Sequence, residues 1–361
     1  MRRHHGIIVL SIIICFLATA CMKWEYAGEE LFDNTADGIF IINQGNFQYG
    51  NASLSFYNPD TKTIDNEIFN RANGMKLGDV AQSMTVYRNQ GWIVVNNSHV
   101  IFRIDLNTYR ETGRIQNLPS PRYICIINPS KAYVSQLWDN RIIIVNPTSM
   151  QVTGEITIPN MAPTSGSTEQ MILIGKHVYC NCWSYQNRII KIDTTTDAVT
   201  ASLPIGVQPQ SMVKDCNDKL WVLTDGGFSG NPAGHEPPTL ARVDPQTMTV
   251  EKRFQMQLND SPSQLQIDPT GHTLYWINND IFRMDISAES APKCAFINAC
   301  NTKYYGLFIS PVDHNIYVAD AIDYQQLGMI YRYDSAGNLI DTFHSGVTPG
   351  AFAWKGGLDE I

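Results

Sequence analysis

Apolar positions along the chain fall into short runs, and seven of these runs end in an Asp or Asn. They are Ser55–Asn58, Phe102–Asp105, Ile143–Asn146, Ile190–Asp193, Ala241–Asp244, Phe282–Asp285 and Tyr331–Asp334, with the closing residues 41 to 51 positions apart. A repeat of that length built from short strands is the pattern of a β-propeller blade. A second set of apolar positions recurs independently at Met84, Ile124, Met171, Met212, Leu265, Leu307 and Phe352, and predicts the innermost strand of each blade. Between the two sets lie predicted second strands at Gly91–Val95, Lys131–Ser135, His177–Asn181, Lys219–Thr224, Thr273–Ile277 and Asn315–Ala319. Asp or Asn after each third strand caps the following turn through its own side chain, and Pro59, Pro147 and Pro245 preset the next φ.

The two ends of this pattern complement each other. The first repeat opens with a second strand, Gly38–Asn43, and lacks an inner one; the chain ends with an inner strand, Gly350–Trp354, and nothing follows it. The expected fold is therefore all-β: a seven-bladed β-propeller of four-stranded blades, closed by a C-terminal inner strand on the N-terminal blade. Closure removes the free sheet edges.

Residues ahead of the first repeat have a different character. Arg2-Arg3-His4-His5 is cationic, Ile7–Leu17 is apolar but too short to span a bilayer, and Ala18-Thr19-Ala20 leads to Cys21. Residues 1–20 read as an export signal resembling a bacterial lipobox, which implies lipid on Cys21 and anchoring to a membrane. Residues 21–37 read as a tether, and 38–361 as the propeller. The net charge of −8 and the lack of basic runs beyond the first residues argue against a nucleic-acid surface. The remaining cysteines (Cys125, Cys180, Cys182, Cys216, Cys294 and Cys300) match no zinc spacing, and most read as small buried hydrophobes. Whether Cys294 and Cys300 pair is left open.

In a four-stranded blade, the loop leading into the inner strand and the loop between second and third strands emerge on one face. The leading loops place Gln82, Arg122, Tyr123, Gln170, Gln210, Gln264 and Tyr305 there. The second-to-third loops add Gln44, Asn46, Phe47, Asn97, Trp138, Trp183, Tyr185 and Asn279. Such a face is rich in carboxamides, which donate and accept, and in flat aromatics, and it is poor in charge. It suits a large, neutral, partly planar ligand or a protein partner. About half of these residues are expected to serve only the turns. The segment from Asp225 to Thr239 is an enlarged loop on the same face. Catalysis is not expected: Asp79 and Glu169 are too few acids for a metal funnel, and His99 and His235 have no partner fixed by the sequence.

Several stretches carry a family resemblance: 42–47, 51–57, 78–84, 94–98, 118–123 and 219–223. In these the chain resembles the YncE-like, surface-layer-type seven-bladed propeller lipoproteins, which include the BtuG-type group. The resemblance implies an outer-membrane, cell-surface lipoprotein that captures cobalamin or another corrinoid and delivers it to a TonB-dependent transporter. It requires no cofactor. Asn43-Gln44-Gly45 stands where the family has an acidic Asn-Glu-Gly, which removes a charge from the face. Two alternatives are a scaffold for a protein or glycan partner and a propeller lyase or lactonase.

Overall fold

A computed structural model describes residues 30–356. The expected signal segment and Cys21 lie outside the described residues. The chain forms seven antiparallel sheets arranged as a closed ring. Blade I contains β1 (Gly38–Asn43), β2 (Ser53–Asn58) and β3 (Thr63–Asp65), followed by a short helix α1 (Ile68–Asn73). Blade II is β4 (Ala81–Tyr87), β5 (Gln90–Val95), β6 (Val100–Asp105) and β7 (Glu111–Ile115). Blade III is β8 (Pro121–Asn128), β9 (Lys131–Gln136), β10 (Arg141–Asn146) and β11 (Gln151–Thr157). Blade IV is β12 (Met171–Ile174), β13 (His177–Cys182), β14 (Arg188–Asp193) and β15 (Ala198–Pro204). Blade V is β16 (Pro209–Lys214), β17 (Leu220–Thr224), β18 (Thr239–Asp244) and β19 (Thr249–Gln255). Blade VI is β20 (Ser263–Ile267), β21 (Thr273–Asn278) and β22 (Asp280–Asp285). Blade VII is β23 (Tyr304–Ile309), β24 (Ile316–Asp320), β25 (Leu327–Tyr333) and β26 (Leu339–Val347). The last strand, β27 (Pro349–Lys355), returns to blade I.

Closure follows the expected three-plus-one arrangement. β27 pairs antiparallel with β1, from Gly38 opposite Lys355 to Asn43 opposite Pro349. The inner strands β4, β8, β12, β16, β20, β23 and β27 each touch the next, and β27 touches β4, so the circle is complete. Every third strand ends in the expected side-chain-capped turn. Asn58, Asp105, Asn146, Asp193, Asp244, Asp285 and Asp334 each accept a backbone N–H two residues on, between 2.7 and 3.0 Å.

Burial follows the radial position of each strand. All six residues of β1 are buried because second strands are covered on both sides by neighbouring blades, whereas β15 alternates exposed and half-buried at the rim. The core is a circle of interblade seams. One joins Trp92 and Val94 of blade II to Ile143 and Val145 of blade III. Another joins Ile39, Ile41 and Tyr57 of blade I to Tyr317, Ala319 and Ile330 of blade VII.

Three features differ from the sequence expectation. Blade VI has three strands; a single bridge, Ile281 to Ile297, stands where a fourth would run. The Ser- and Ala-rich stretch before it, broken by Pro292, has little strand propensity and lacks one ladder donor. Blade I ends in the three-residue β3, and α1 covers what a longer outer strand would cover, burying Ile68, Phe69 and Ala72. The end of the tether, residues 30–37, lies against the ring. Glu30 N donates to Arg71 O at 2.9 Å, Asn34 N donates to Asn107 O at 3.0 Å, and the Phe32 ring sits 5.0 Å from Tyr109. Among the described residues no helix is long and apolar enough to cross a membrane.

Candidate functional site

Each inner strand begins with a β-bulge. The register shifts between Ala81 and Ser83, Pro121 and Ile124, Pro209 and Ser211, Ser263 and Gln266, and Tyr304 and Gly306. In blade IV, Glu169 N and Gln170 O both bond Asn181; in blade I, Gly350 is the extra residue between Pro349 and Ala351. A bulge leaves one residue unpaired and re-aims its side chain. The unpaired positions are occupied by Gln82, Arg122 with Tyr123, Gln170, Gln210, Gln264 and Tyr305, with Gly350 in blade I. All seven sequence-predicted residues of the leading loops therefore stand in one structural role. At Gly350 the missing side chain makes room for Gln44, whose amide nitrogen lies 2.5 Å from where a Cβ would sit.

These side chains meet around the axis. Arg122 Nε donates to both carboxylate oxygens of Glu169, at 3.0 and 2.8 Å, and its Nη1 donates to Gln82 Oε1 at 2.6 Å. Tyr305 OH donates to Gln44 Oε1 at 2.8 Å. Burial works against the charge on Arg122, but the Glu169 carboxylate outweighs it and holds the guanidinium ionised. Burial pushes the Glu169 carboxyl above its ordinary range against the pull of Arg122, and likewise raises the Tyr123 and Tyr305 hydroxyls, which stay neutral. Two of the carboxamides are spent on the scaffold. Gln170 Oε1 accepts Met212 N at 2.8 Å, and Gln210 Oε1 accepts Gln264 N at 3.3 Å, each tying one inner strand to the next.

Off the axis the same face opens into a cleft of about 630 Å³. It gathers Gln44, Asn46, Phe47, Asn97, Trp138 and Tyr305 from the predicted set and adds His99, Tyr324 and Thr348. Residues from both kinds of loop line it, as expected for one face. Asn46 is engaged with Tyr324 O and Asn51, and Asn97 Nδ2 donates to Asp79 Oδ2 at 2.5 Å, so these two chiefly shape the wall. Thr348 is 4 % exposed, and its hydroxyl has no partner among the described residues. Sequence reasoning missed Thr348 by starting the last strand at Gly350. Its signal is positional: Val80, Gln208 and Thr348 each stand two residues before a bulged residue, with φ of 59°, 54° and 53°.

Aromatic side chains continue beyond the cleft. Trp138 lies 6.0 Å from Tyr185, and Tyr185 lies 6.5 Å from Phe228, forming an arc over blades III, IV and V. Every exposed aromatic among the described residues (Phe47, Tyr49, Trp138, Phe228 and Tyr324) is on a second-to-third loop of this face. Turn geometry at these loops calls for a left-handed residue, and it is His99, Trp138, Tyr185, Asn279 and Tyr324 that adopt φ of 57°, 58°, 56°, 58° and 63°. For a bulky side chain this conformation costs about 1 kcal/mol or more, which Gly would avoid. Asn279 is the ordinary occupant of such a site and only makes its turn.

Trp183 stands on the expected loop, and its indole also has a structural task. Its Nε1 donates to Asp225 Oδ2 at 2.8 Å, which anchors the enlarged loop. That loop is tightly folded: Asp225 also accepts Gly227 N at 2.8 Å and Gln208 Nε2 at 3.2 Å, and Glu236 Oε1 accepts Val207 N at 2.7 Å. His235 borders a second hollow of about 360 Å³ with Gln208, Phe228 and Asp260, apart from the cleft that holds His99. Glu169 is committed to Arg122. Among the described residues no three of His, Cys, Asp and Glu converge to hold a metal ion. The six described cysteines are all unpaired; Cys180 and Cys182 are buried, but Cys216, Cys294 and Cys300 are exposed, contrary to the expectation that most would be core.

Fold and site together define a closed seven-bladed propeller with one aromatic-and-amide face. The chain belongs to the family described as domain of unknown function DUF5074, which matches residues 37–346. No curated protein matches it. Among solved structures it is similar to a quinonprotein alcohol dehydrogenase-like protein from Bacteroides thetaiotaomicron, with 14 % identity over 88 % of this chain and 79 % of that one and a TM-score of 0.67. It is also similar to the periplasmic gluconolactonase PpgL of Pseudomonas aeruginosa, with 9 % identity over 88 % and 99 % and a TM-score of 0.66. A functionally unknown protein from Desulfotomaculum acetoxidans gives 10 % identity over 88 % and 99 % with a TM-score of 0.65. At such identities the likeness is one of fold.

Proposed function

We propose that the chain is a capture protein whose upper loop face binds a large, neutral, flat ligand fringed with amides, a corrinoid such as cobalamin. The observation that supports this most is the confinement of all five exposed aromatics to the face that also holds the bulged carboxamides. Trp138 and Phe47 supply flat apolar area for a macrocycle, and Gln44 and the neutral Tyr305 supply donors and acceptors for side-chain amides. The rigid ring keeps the ordering cost of binding low. No covalent step is part of this reading. Lipid on Cys21, an outer-membrane cell-surface location and delivery to a TonB-dependent transporter belong to the same proposal and extend the resemblance of the sequence.

Titration of the purified protein with cyanocobalamin, followed by calorimetry and by the visible spectrum, tests the ligand. Saturable binding with Kd below about 10 µM is expected. Absence of heat and of any spectral change at that concentration removes the corrinoid. Phe47 and Tyr49 are 63 % and 76 % exposed at the rim, which favours a second reading in which this face docks a protein; pull-down of a transporter without added ligand distinguishes the two.

A further inference from the structure

On the opposite face, the turns between first and second strands of blades V and VI touch. Both are pinned by a carboxylate. Asp215 Oδ1 accepts Asn217 N at 2.8 Å and Lys219 N at 2.9 Å; Asp268 Oδ1 accepts His272 N at 2.9 Å and Thr273 N at 2.8 Å. Cys216 N donates to Gly271 O at 3.1 Å across the blade boundary. Gly271 has φ 72°, and a Cβ there would lie 2.7 Å from Cys216 N, so only glycine allows this approach.

The approach brings Cys216 Sγ to 3.4 Å from His272 Nε2, with both residues exposed. His272 Nδ1 lies 2.9 Å from the Thr270 carbonyl oxygen. A carbonyl only accepts, so Nδ1 carries the proton and the Nε2 lone pair faces the thiol. A thiol, a base within reach of it and a third group that fixes the base make up the arrangement of an activated nucleophile. The other described cysteines lack it. Burial pushes the Cys125 and Cys182 thiols up to about 12, and among the described residues no imidazole is hydrogen-bonded to the exposed Cys294 or Cys300.

We propose that Cys216 is a reactive thiol, activated by His272, that forms a mixed disulfide with small disulfide compounds. The thiol proton passes to His272 Nε2, and the Cys216 sulfur attacks one sulfur of the compound. A new S–S bond forms as the old one breaks, and the departing thiolate takes the proton from the imidazolium. One thiol and one disulfide enter, and one mixed disulfide and one free thiol leave.

The full chain incubated with the neutral probe 2-hydroxyethyl disulfide, quenched over time and read by peptide mass spectrometry, gives a rate for each cysteine. Cys216 is expected to react at least about tenfold faster than Cys294 and Cys300, which serve as internal controls. His272→Gln brings it to within about twofold of those controls. Gly271→Ala, which forces the turn away from Cys216 while keeping the imidazole, slows it too; a merely exposed thiol would react unchanged or faster. Equal rates at the three exposed cysteines, or a Cys216 rate unaffected by both variants, overturn the proposal.

Discussion

The two faces of the ring use the same residue types to opposite ends. On the lower face, carboxylates are spent on geometry. Asp105, Asp193, Asp244, Asp285 and Asp334 cap their turns, and Lys219 bridges Asp244 at 2.5 Å and Glu251 at 2.7 Å. On the upper face, two carboxylates are withdrawn from solvent by side-chain partners: Glu169 is paired with Arg122's guanidinium and Asp225 accepts Trp183's indole N–H. The electrostatics divide accordingly. Hydrogen bonds and cations lower the capping carboxyls, whereas burial raises Asp225 and Glu169. Bulky left-handed residues occur on both faces, Tyr109 and Met150 among those below and Trp138, Tyr185 and Tyr324 among those above, but Tyr109 is fully buried whereas Trp138 and Tyr324 are exposed. The difference separates scaffold from binding surface within one repeated blade.

The largest effect is expected where the comparison itself depends on closure. Removing β27 strips one of its two partner strands from β1 along all six residues and uncovers Ile39, Phe40, Ile41 and Ile42. At roughly 1.5–3 kcal/mol for each large side chain, with the lost ladder added, the cost rivals the 5–15 kcal/mol that holds a domain together. A chain ending at residue 348 should show no cooperative thermal transition; a native-like transition would mean that the ring does not depend on the last strand.

Breaking the upper face selectively comes next. Trp138→Ala and Phe47→Ala, both at exposed positions, should each weaken cyanocobalamin binding about tenfold and move Tm by no more than a few degrees. Val312→Ala, an exposed apolar position on the lower face, is the matched control and should leave affinity unchanged.

Smaller effects sharpen the electrostatic half of the comparison. Asp225 has a folded pKa raised by burial, with Trp183, Gly227 and Gln208 opposing. Its contribution is therefore fully present below its unfolded value and lost as pH rises through the folded one. Trp183→Phe deletes one donor to the carboxylate and should cost about 1–3 kcal/mol where the group is ionised, and less as pH falls through its folded pKa. Asp105 behaves in the opposite sense. Burial raises it, but the N–H groups of Thr108 and Asn107 lower it further, so its stabilisation is present above its unfolded pKa and disappears as pH falls. Asp105→Asn keeps an oxygen for the turn and removes the titration. Urea melts at pH 2–4 should show a shallower acid loss, by at most about 1.4 kcal/mol per pH unit.

Much of this architecture was legible because it repeats. The Asp and Asn residues closing the third strands announced their turns, and the mismatch between Gly38–Asn43 and Gly350–Trp354 announced the closure. What failed to repeat was not legible. The helix Ile68–Asn73 is six residues long and is held by Phe69 and Ala72 against a distant seam, a tertiary effect without a local signature. The missing fourth strand of blade VI was masked by the intact spacing of the repeat, although the low strand propensity of 287–293 and Pro292 were present in the sequence. At the site, residue type identified Gln82, Gln264 and Tyr305 but not the bulges that aim them, since a bulge is a property of pairing. Trp183 illustrates the converse: an aromatic on the right loop whose indole N–H is committed to Asp225.

Amide hydrogen exchange of the protein with and without saturating cyanocobalamin tests the asymmetry of the two faces most directly. The expected result is slowed exchange confined to the upper loops at 44–52, 96–99, 137–140 and 321–326, with the lower turns unchanged. Protection spread over both faces, centred on the lower turns, or absent altogether would contradict a single capturing face.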